Sequence, residues 1–227
     1  MVFFRHVFFK KPPDLKERYI KGKRHYESPT GSLLPSVTTV LSLLSDTGIK
    51  AWRKRVGEVE ADKVMDYAMK TGTEMHSIVE NYLNNRAEDM DKNPRAMKLF
   101  EQMKDELDKI DNIVAQEVPL YSDGLGVAGR VDCIAEYGGK LSIIDFKSSR
   151  KKKQKSWIKK YFLQATAYSL MYEEMTGDKV DQIVILISAD DDTVMAYVDE
   201  NWELVDKKLR NSELKFKEAE RKLAMDK

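Results

Sequence analysis

The run from Gly126 to Lys147 constrains this 227-residue chain more than any other stretch. It reads as two β-strands, residues 127–137 and 140–146, joined at Gly138-Gly139, a dipeptide that tolerates the positive φ angles of a two-residue hairpin turn. If those two glycines are the whole loop, Tyr137 pairs with Lys140. Counting outward then sets Asp132 opposite Asp145 and Arg130 opposite Lys147. Side chains alternate along a strand, so all four share one face. Two carboxylates facing each other across a ladder repel. A fold that keeps such a pair needs a cation between them, and carboxylate oxygens suit one or two hard divalent ions, Mg²⁺ or Mn²⁺.

The formal charge of +1 hides a strong asymmetry. Residues 147–160 carry eight basic side chains and no acidic one, and the rest of the chain holds 31 basic against 38 acidic residues, a net of −7. Lys147, Arg150, Lys151, Lys152, Lys153 and Lys155 follow directly on the hairpin, as a cluster that binds phosphate backbones would. The single cysteine, Cys133, excludes a disulfide framework and any cysteine-based zinc or iron–sulfur site, and it fits a reducing, cytoplasmic setting. No apolar run approaches the roughly 18 residues of a membrane helix, so no membrane partner is expected.

Along the chain, residues 19–26 read as a strand and Ser36 as the N-cap of a short helix over 37–44. A helix over 49–70 offers Trp52, Val56, Val59, Val64 and Tyr67 for burial. Thr71 and Glu74 stand in capping-box spacing, which predicts a break and a new helix reaching about Asn84, with His76, Val79, Glu80 and Leu83 on one stripe. Residues 95–108 have the apolar period of another helix. Strands follow at 113–121, 127–137 and 140–146, then a helix over 157–176 stopped by Gly177. Strands at 180–189 and 193–198, with a turn at Asp190 to Asp192, precede a last amphipathic helix over 202–223. This order suggests one α/β domain: a mainly helical elaboration over 1–110, then an α/β core over 111–227.

Gly129-Arg130-Val131-Asp132 followed by Ile144-Asp145-Phe146-Lys147-Ser148-Ser149 resembles the PD-(D/E)xK nuclease superfamily, and more narrowly its RecB-type exonuclease branch, which includes phage-encoded and mitochondrial-genome-maintenance exonucleases. Gly72-Thr73-Glu74-Met75-His76 resembles the branch's upstream helix motif, and Gln164-Ala165-Thr166-Ala167-Tyr168 its Gln-x-x-x-Tyr helix motif. Pro35 to Leu41 looks like a segment that many phage members carry. Val131 stands where the superfamily name has proline, and the cysteines of the iron–sulfur members are absent.

The resemblance implies a restriction-endonuclease-like core, a mixed central β-sheet flanked by helices. It implies that Asp132, Asp145 and the main-chain carbonyl of Phe146 ligate the metal, with His76 reaching it from the upstream helix; a core or capping histidine is the alternative reading of His76. Glu117 is either a further acid near the metal or a structural partner. Lys147 would orient or deprotonate the attacking water. Gln164 and Tyr168, one helical turn apart, would hold the substrate phosphates or Lys147, or belong with Tyr161 and Tyr172 to an aromatic packing stripe. DNA contacts are expected from Arg130, Ser148, Tyr161 and the basic run. The expected activity is a Mg²⁺-dependent deoxyribonuclease, an exonuclease acting on single-stranded DNA or DNA ends in replication, recombination or repair. A structure-specific endonuclease and a catalytically silent DNA-binding subunit are the alternatives.

Overall fold

The computed structural model describes residues 2–9, 14–43, 47–86 and 93–202. The elements in order are β1 (Lys16–Ile20), β2 (Lys23–Glu27), β3 (Leu33–Pro35), α1 (Val37–Leu43), α2 (Thr47–Val56), α3 (Glu58–Leu83), α4 (Pro94–Leu107), β4 (Ile110–Ser122), β5 (Val127–Tyr137), β6 (Lys140–Ser149), α5 (Lys159–Thr176), β7 (Gln182–Ala189) and β8 (Val194–Asp199). The helix expected over 202–223 lies outside the described residues, apart from its first residue, Trp202.

The central sheet has the order β4-β5-β6-β7-β8, antiparallel throughout except for the parallel pair β6–β7 that α5 connects. Every residue of β7 is buried, as a strand covered on both faces requires. On one face α5 packs Phe162, Tyr168 and Met171 against Val131, Ile143 and Ile185. On the other, α3 and α4 pack Met75, Ile78, Leu99 and Phe100 against Cys133, Ile144 and Leu186. This is the mixed sheet flanked by helices that the sequence suggests. No helix among the described residues is long and apolar enough to cross a membrane.

The N-terminal third, though still mostly helix, opens with short strands beyond the one expected. Residues 19–26 are not one strand but a hairpin, with Lys21 (φ 48°) and Gly22 (φ 73°) turning β1 into β2. With β3 they form a second, three-stranded sheet. Ser36 caps α1 as expected, its Oγ accepting from the Thr39 amide at 3.0 Å.

The expected helix break at Thr71 does not occur. α3 runs unbroken for 26 residues, and the break falls earlier, at Gly57 (φ 88°) between α2 and α3. The side chains that would have capped a new helix are used elsewhere. Glu74 accepts the Asn93 amide at 3.0 Å and Thr71 Oγ1 accepts from Asn93 Nδ2 at 3.5 Å, while Asn93 itself caps α4. The same departure exposes residues expected inside: Val56 and Tyr67 face solvent, and Val59 is 72% exposed.

The Gly138-Gly139 turn forms with both φ values positive (60° and 80°), and the pairing runs as counted from Tyr137↔Lys140 to Cys133↔Ile144. There the ladder ends. Asp132 is not paired with Asp145, nor Arg130 with Lys147, so β5 and β6 splay apart at the level of the two acids. Alternation slips at the same point: Val131 and Ile134 both face α5, whereas Cys133 and Ala135 face α3 and α4.

Candidate active site

The splay leaves the Phe146 amide without a strand partner on β5, and a side chain takes the place of one. Asp132 Oδ2 accepts the Phe146 N–H at 2.9 Å. Opposite, on β4, Glu117 adopts φ 48°, a left-handed conformation that a non-glycine residue reaches only at a cost. The Arg130 guanidinium donates to the Glu117 carbonyl oxygen and holds that distortion in place. Both irregular strands meet α3 at His76. Its Nε2 donates to the Phe146 carbonyl at 2.8 Å, which leaves Nδ1 facing Asp132 Oδ2 (3.7 Å) and Glu117 Oε1 (3.9 Å).

His76, Glu117 and Asp132 thus offer one ligand atom each within 4.8 Å of one another. One imidazole and two carboxylates are a donor set for a divalent ion, and two acids this close to each other call for a counter-charge. Burial works against charge on His76, yet Asp132 and Glu117 outweigh it and raise its pKa. Asp145 lies outside this group of three. It is 1% exposed, and neither buried oxygen meets a well-aligned hydrogen-bond donor. Its counter-charge is Lys147 Nζ, 2.5 Å from Oδ2. Burial pushes the Asp145 carboxyl up to about 6, with Lys147 pulling the other way and the Asp132 charge adding to the rise. Burial also opposes charge on Lys147, but Asp145 and Asp132 prevail and raise it, so Lys147 stays a cation at neutral pH. The buried, poorly bonded carboxylate and the three-ligand cluster both fit a divalent ion.

His76, Glu117, Asp132 and Lys147 open into a cleft of about 890 Å³, and Asp145 is buried outside its lining. Arg130, Gln164 and Tyr168 line it as well, although Arg130 and Tyr168 are tied into the fold. Tyr168 is buried, and its hydroxyl oxygen accepts from Gln164 Nε2 at 3.3 Å. Its ring lies directly on Gly129, where an added Cβ would come within 2.8 Å of Tyr168 Cε1. The aromatic row of α5 is therefore both packing and cleft wall. Gly129→Ala is expected to destabilise the fold by about 1–3 kcal/mol, because the added methyl would have to displace the buried Tyr168 ring; denaturant melts of the two proteins measure it.

The expected DNA contacts separate into two groups. Tyr161 sits beneath Lys147 Nζ, with 5.4 Å to its ring centroid, and so stands close to the site. Ser148 packs towards Gly72 of α3. Arg150, Lys151, Lys152, Lys153 and Lys155 do not line the cleft. They run along the β7–β8 edge: the Lys152 amide donates to Asp191, Lys153 receives the Tyr197 hydroxyl on its carbonyl, and Lys155 faces Asp199 at 3.9 Å. Asp199, distant in sequence, faces this run at Lys155. The Asp190 to Asp192 turn instead braces α4, with Arg95–Asp190 and Lys98–Asp192 both at 2.7 Å. Cys133 is a buried core residue.

The cleft-lining residues Arg24 from β2, Thr38 from α1 and Gln116 from β4 were not assigned to the site by the sequence reading, and neither were Met69 and Ser77 of α3. Arg24 and Thr38 belong to the N-terminal sheet and helix, which no local pattern places beside α3. Gln116 is the neighbour of Glu117, and the left-handed turn at Glu117 disturbs the alternation that would have assigned its face.

Comparison with known proteins agrees with the geometry. The human mitochondrial genome maintenance exonuclease 1 is 29% identical over 150 residues, covering 60% of this chain and 43% of that protein. The mouse protein of the same name is 28% identical over 151 residues, covering 58% of this chain and 44% of its own length. The chain thus aligns with less than half the length of these relatives. The crystal structure of SSO0001 overlays with a TM-score of 0.38 at 16% identity, across 79% of this chain and 74% of that one. The model of the PD-(D/E)XK nuclease superfamily matches residues 50–225, most of the chain and all of the central sheet with its site. The chain belongs to the PD-(D/E)XK nuclease superfamily.

Proposed function

We propose that this protein is a metal-dependent deoxyribonuclease, an exonuclease that hydrolyses phosphodiester bonds in single-stranded DNA or at DNA ends. The observation that carries the reading is the joint placement of His76, Glu117, Asp132 and Lys147 along one cleft, with Lys147 paired to the buried Asp145. Family membership supports nuclease chemistry, and the two exonuclease relatives favour attack from an end.

Asp132, Glu117 and His76 would hold the ion, with the Asp145 carboxylate and the Phe146 carbonyl beside them. Mg²⁺ is the expected ion, and the imidazole makes Mn²⁺ at least as good a match. Once bound, the ion supplies Lewis-acid polarisation of the phosphate and a bound water of lowered pKa. The chain's own residues do the rest. His76 is fixed in one tautomer by its bond to the Phe146 carbonyl, so its Nδ1 lone pair stays turned towards the acids. Lys147, ion-paired with Asp145, orients water and opposes the charge that develops on the phosphate oxygens. Gln164 steadies the Tyr168 hydroxyl at the cleft wall.

The test is digestion of 5′-blocked, 3′-blocked and closed-circular single-stranded oligonucleotides with Mg²⁺ or Mn²⁺, run beside Lys147→Ala. An exonuclease leaves the circle intact and is stopped by a block at one end or both. Cutting of the circle would replace this reading with an endonuclease, and absence of any cutting by the wild type with either ion would reject it.

A further inference from the structure

The cleft holds three cations, and two of them are already engaged. Lys147 is ion-paired with Asp145, and the Arg130 guanidinium donates to the Glu117 carbonyl. Arg24 is different. Its single side-chain hydrogen bond is a long one, Nη2 to Thr38 Oγ1 at 3.5 Å, and among the described residues it makes no ion pair. The Tyr26 ring supports its guanidinium at 5.6 Å from the centroid. Its main chain is fixed as well, because the Arg24 carbonyl accepts both the Ser36 amide (2.9 Å) and the Thr39 hydroxyl (3.1 Å). A planar fork of donors on an anchored main chain thus lines the cleft of the acidic cluster with only that one long bond of its own.

A second donor in the same cleft is in the same position. Gln116 Nε2 is buried and has no hydrogen-bond partner, an arrangement that costs on the order of 1–3 kcal/mol unless a ligand or solvent accepts from it. Arg24 comes from β2 and Gln116 from β4. An anion bound in the cleft would therefore take donors from two separate sheets. The chemistry that a guanidinium fork and an amide share is recognition of phosphate oxygens.

We propose that Arg24, seconded by Gln116, grips a backbone phosphate of the bound DNA strand adjacent to the one being cleaved, so that the three-stranded sheet is a wall of the substrate channel. This rests on the DNA-cleaving reading of the cleft, and it goes beyond the family resemblance, because Arg24 lies ahead of residues 50–225. The strand would pass between β2 and α3, with the ion-binding cluster on its floor. The bound base is not selected by these two residues, since both donors read the backbone.

Steady-state cleavage of a fluorescent single-stranded oligonucleotide across a range of KCl concentrations tests this. Arg24→Ala is expected to raise KM about tenfold with kcat within about threefold, and to flatten the plot of log(kcat/KM) against log[KCl] by about 0.7, the contribution of one phosphate contact on a single strand. Arg24→Lys keeps the salt slope and recovers part of the KM. Gln116→Leu raises KM without changing the slope, because an amide releases no counterion. An unchanged KM and slope in Arg24→Ala overturns the proposal. So does a loss of activity in Arg24→Ala and Arg24→Lys alike that tracks a fall in melting temperature and leaves the slope untouched, which marks a purely structural arginine. Failure of the wild type to cleave DNA at all is a separate result, and it rejects the nuclease reading.

Discussion

Asp145→Asn is expected to cleave DNA at least 10²–10³-fold more slowly than the wild type and to lose up to about 3 kcal/mol of stability, whereas Asp145→Asn with Lys147→Met is equally inactive but as stable as the wild type or more so. The reasoning follows from which charge each change leaves behind. Asp145 is 1% exposed, and its main electrostatic support is Lys147 at 2.5 Å. Removing the carboxylate alone strands an ammonium that is itself largely buried, with Asp132 as its remaining neighbour of opposite sign. Removing both charges spares two desolvation costs in exchange for one attraction, a trade that buried pairs often favour. Denaturant midpoints of the two single variants and the double variant, together with cleavage rates, decide the matter. A double variant less stable than either single variant would show that the pair holds the fold together as well as serving the chemistry.

Adding Mn²⁺ or Mg²⁺ is expected to raise the melting temperature by about 5–10 °C at pH 8 when the ion is at about a hundred times its dissociation constant, and by almost nothing at pH 5. The sign comes from two raised pKa values. Asp145 is lifted from 3.8 to about 6, so it contributes stability that is fully present below its unfolded value and is lost as pH rises through about 6. His76 is raised above 6.5 and acts the same way at a somewhat higher pH. The metal-free fold is therefore penalised above neutrality by charges crowded into one place, and an ion that accepts those charges removes the penalty. At pH 5 protons already occupy both groups and compete with the ion. His76→Ala should weaken the ion about 10–100-fold and shrink the pH 8 shift accordingly. Thermal melts at the two pH values, with and without EDTA, read all three quantities. A shift of equal size at pH 5 would show that the ion binds elsewhere.

The sequence disclosed what local chemistry decides. The Gly138-Gly139 turn, the register from Tyr137 to Cys133, the Ser36 cap and the Gly177 stop all depend on residues a few positions apart, and all are found as read. What failed to show was the point at which a local rule stops applying. Counting outward from the turn cannot reveal that the β5–β6 ladder ends at Cys133, where the Asp132 side chain takes the Phe146 amide in place of a strand partner. The capping-box spacing at Thr71 was real, but Asn93, nineteen residues beyond Glu74, had taken up both side chains. The metal group illustrates both sides. Asp132 and His76 were visible through motifs, and Glu117 was named as an acid near the metal or a structural partner, whereas the left-handed backbone angle it adopts was not foreseen. Arg24 reaches the cleft through a second sheet, and only the folded chain shows it there.

Asp132 has two tasks that cannot be separated by simple deletion. Its Oδ2 stands in for a main-chain carbonyl by taking the Phe146 N–H, so the residue that would bind the ion also seals the opening between two strands. Chemistry and architecture are thereby welded at one position. Truncating it leaves an orphaned amide in a buried strand, while an amide side chain would keep the seal and surrender the charge. A lineage drifting towards a non-cutting, DNA-holding protein would therefore be expected to erode first at Lys147 or His76, and to keep an oxygen acceptor at 132 long after its catalytic use had gone.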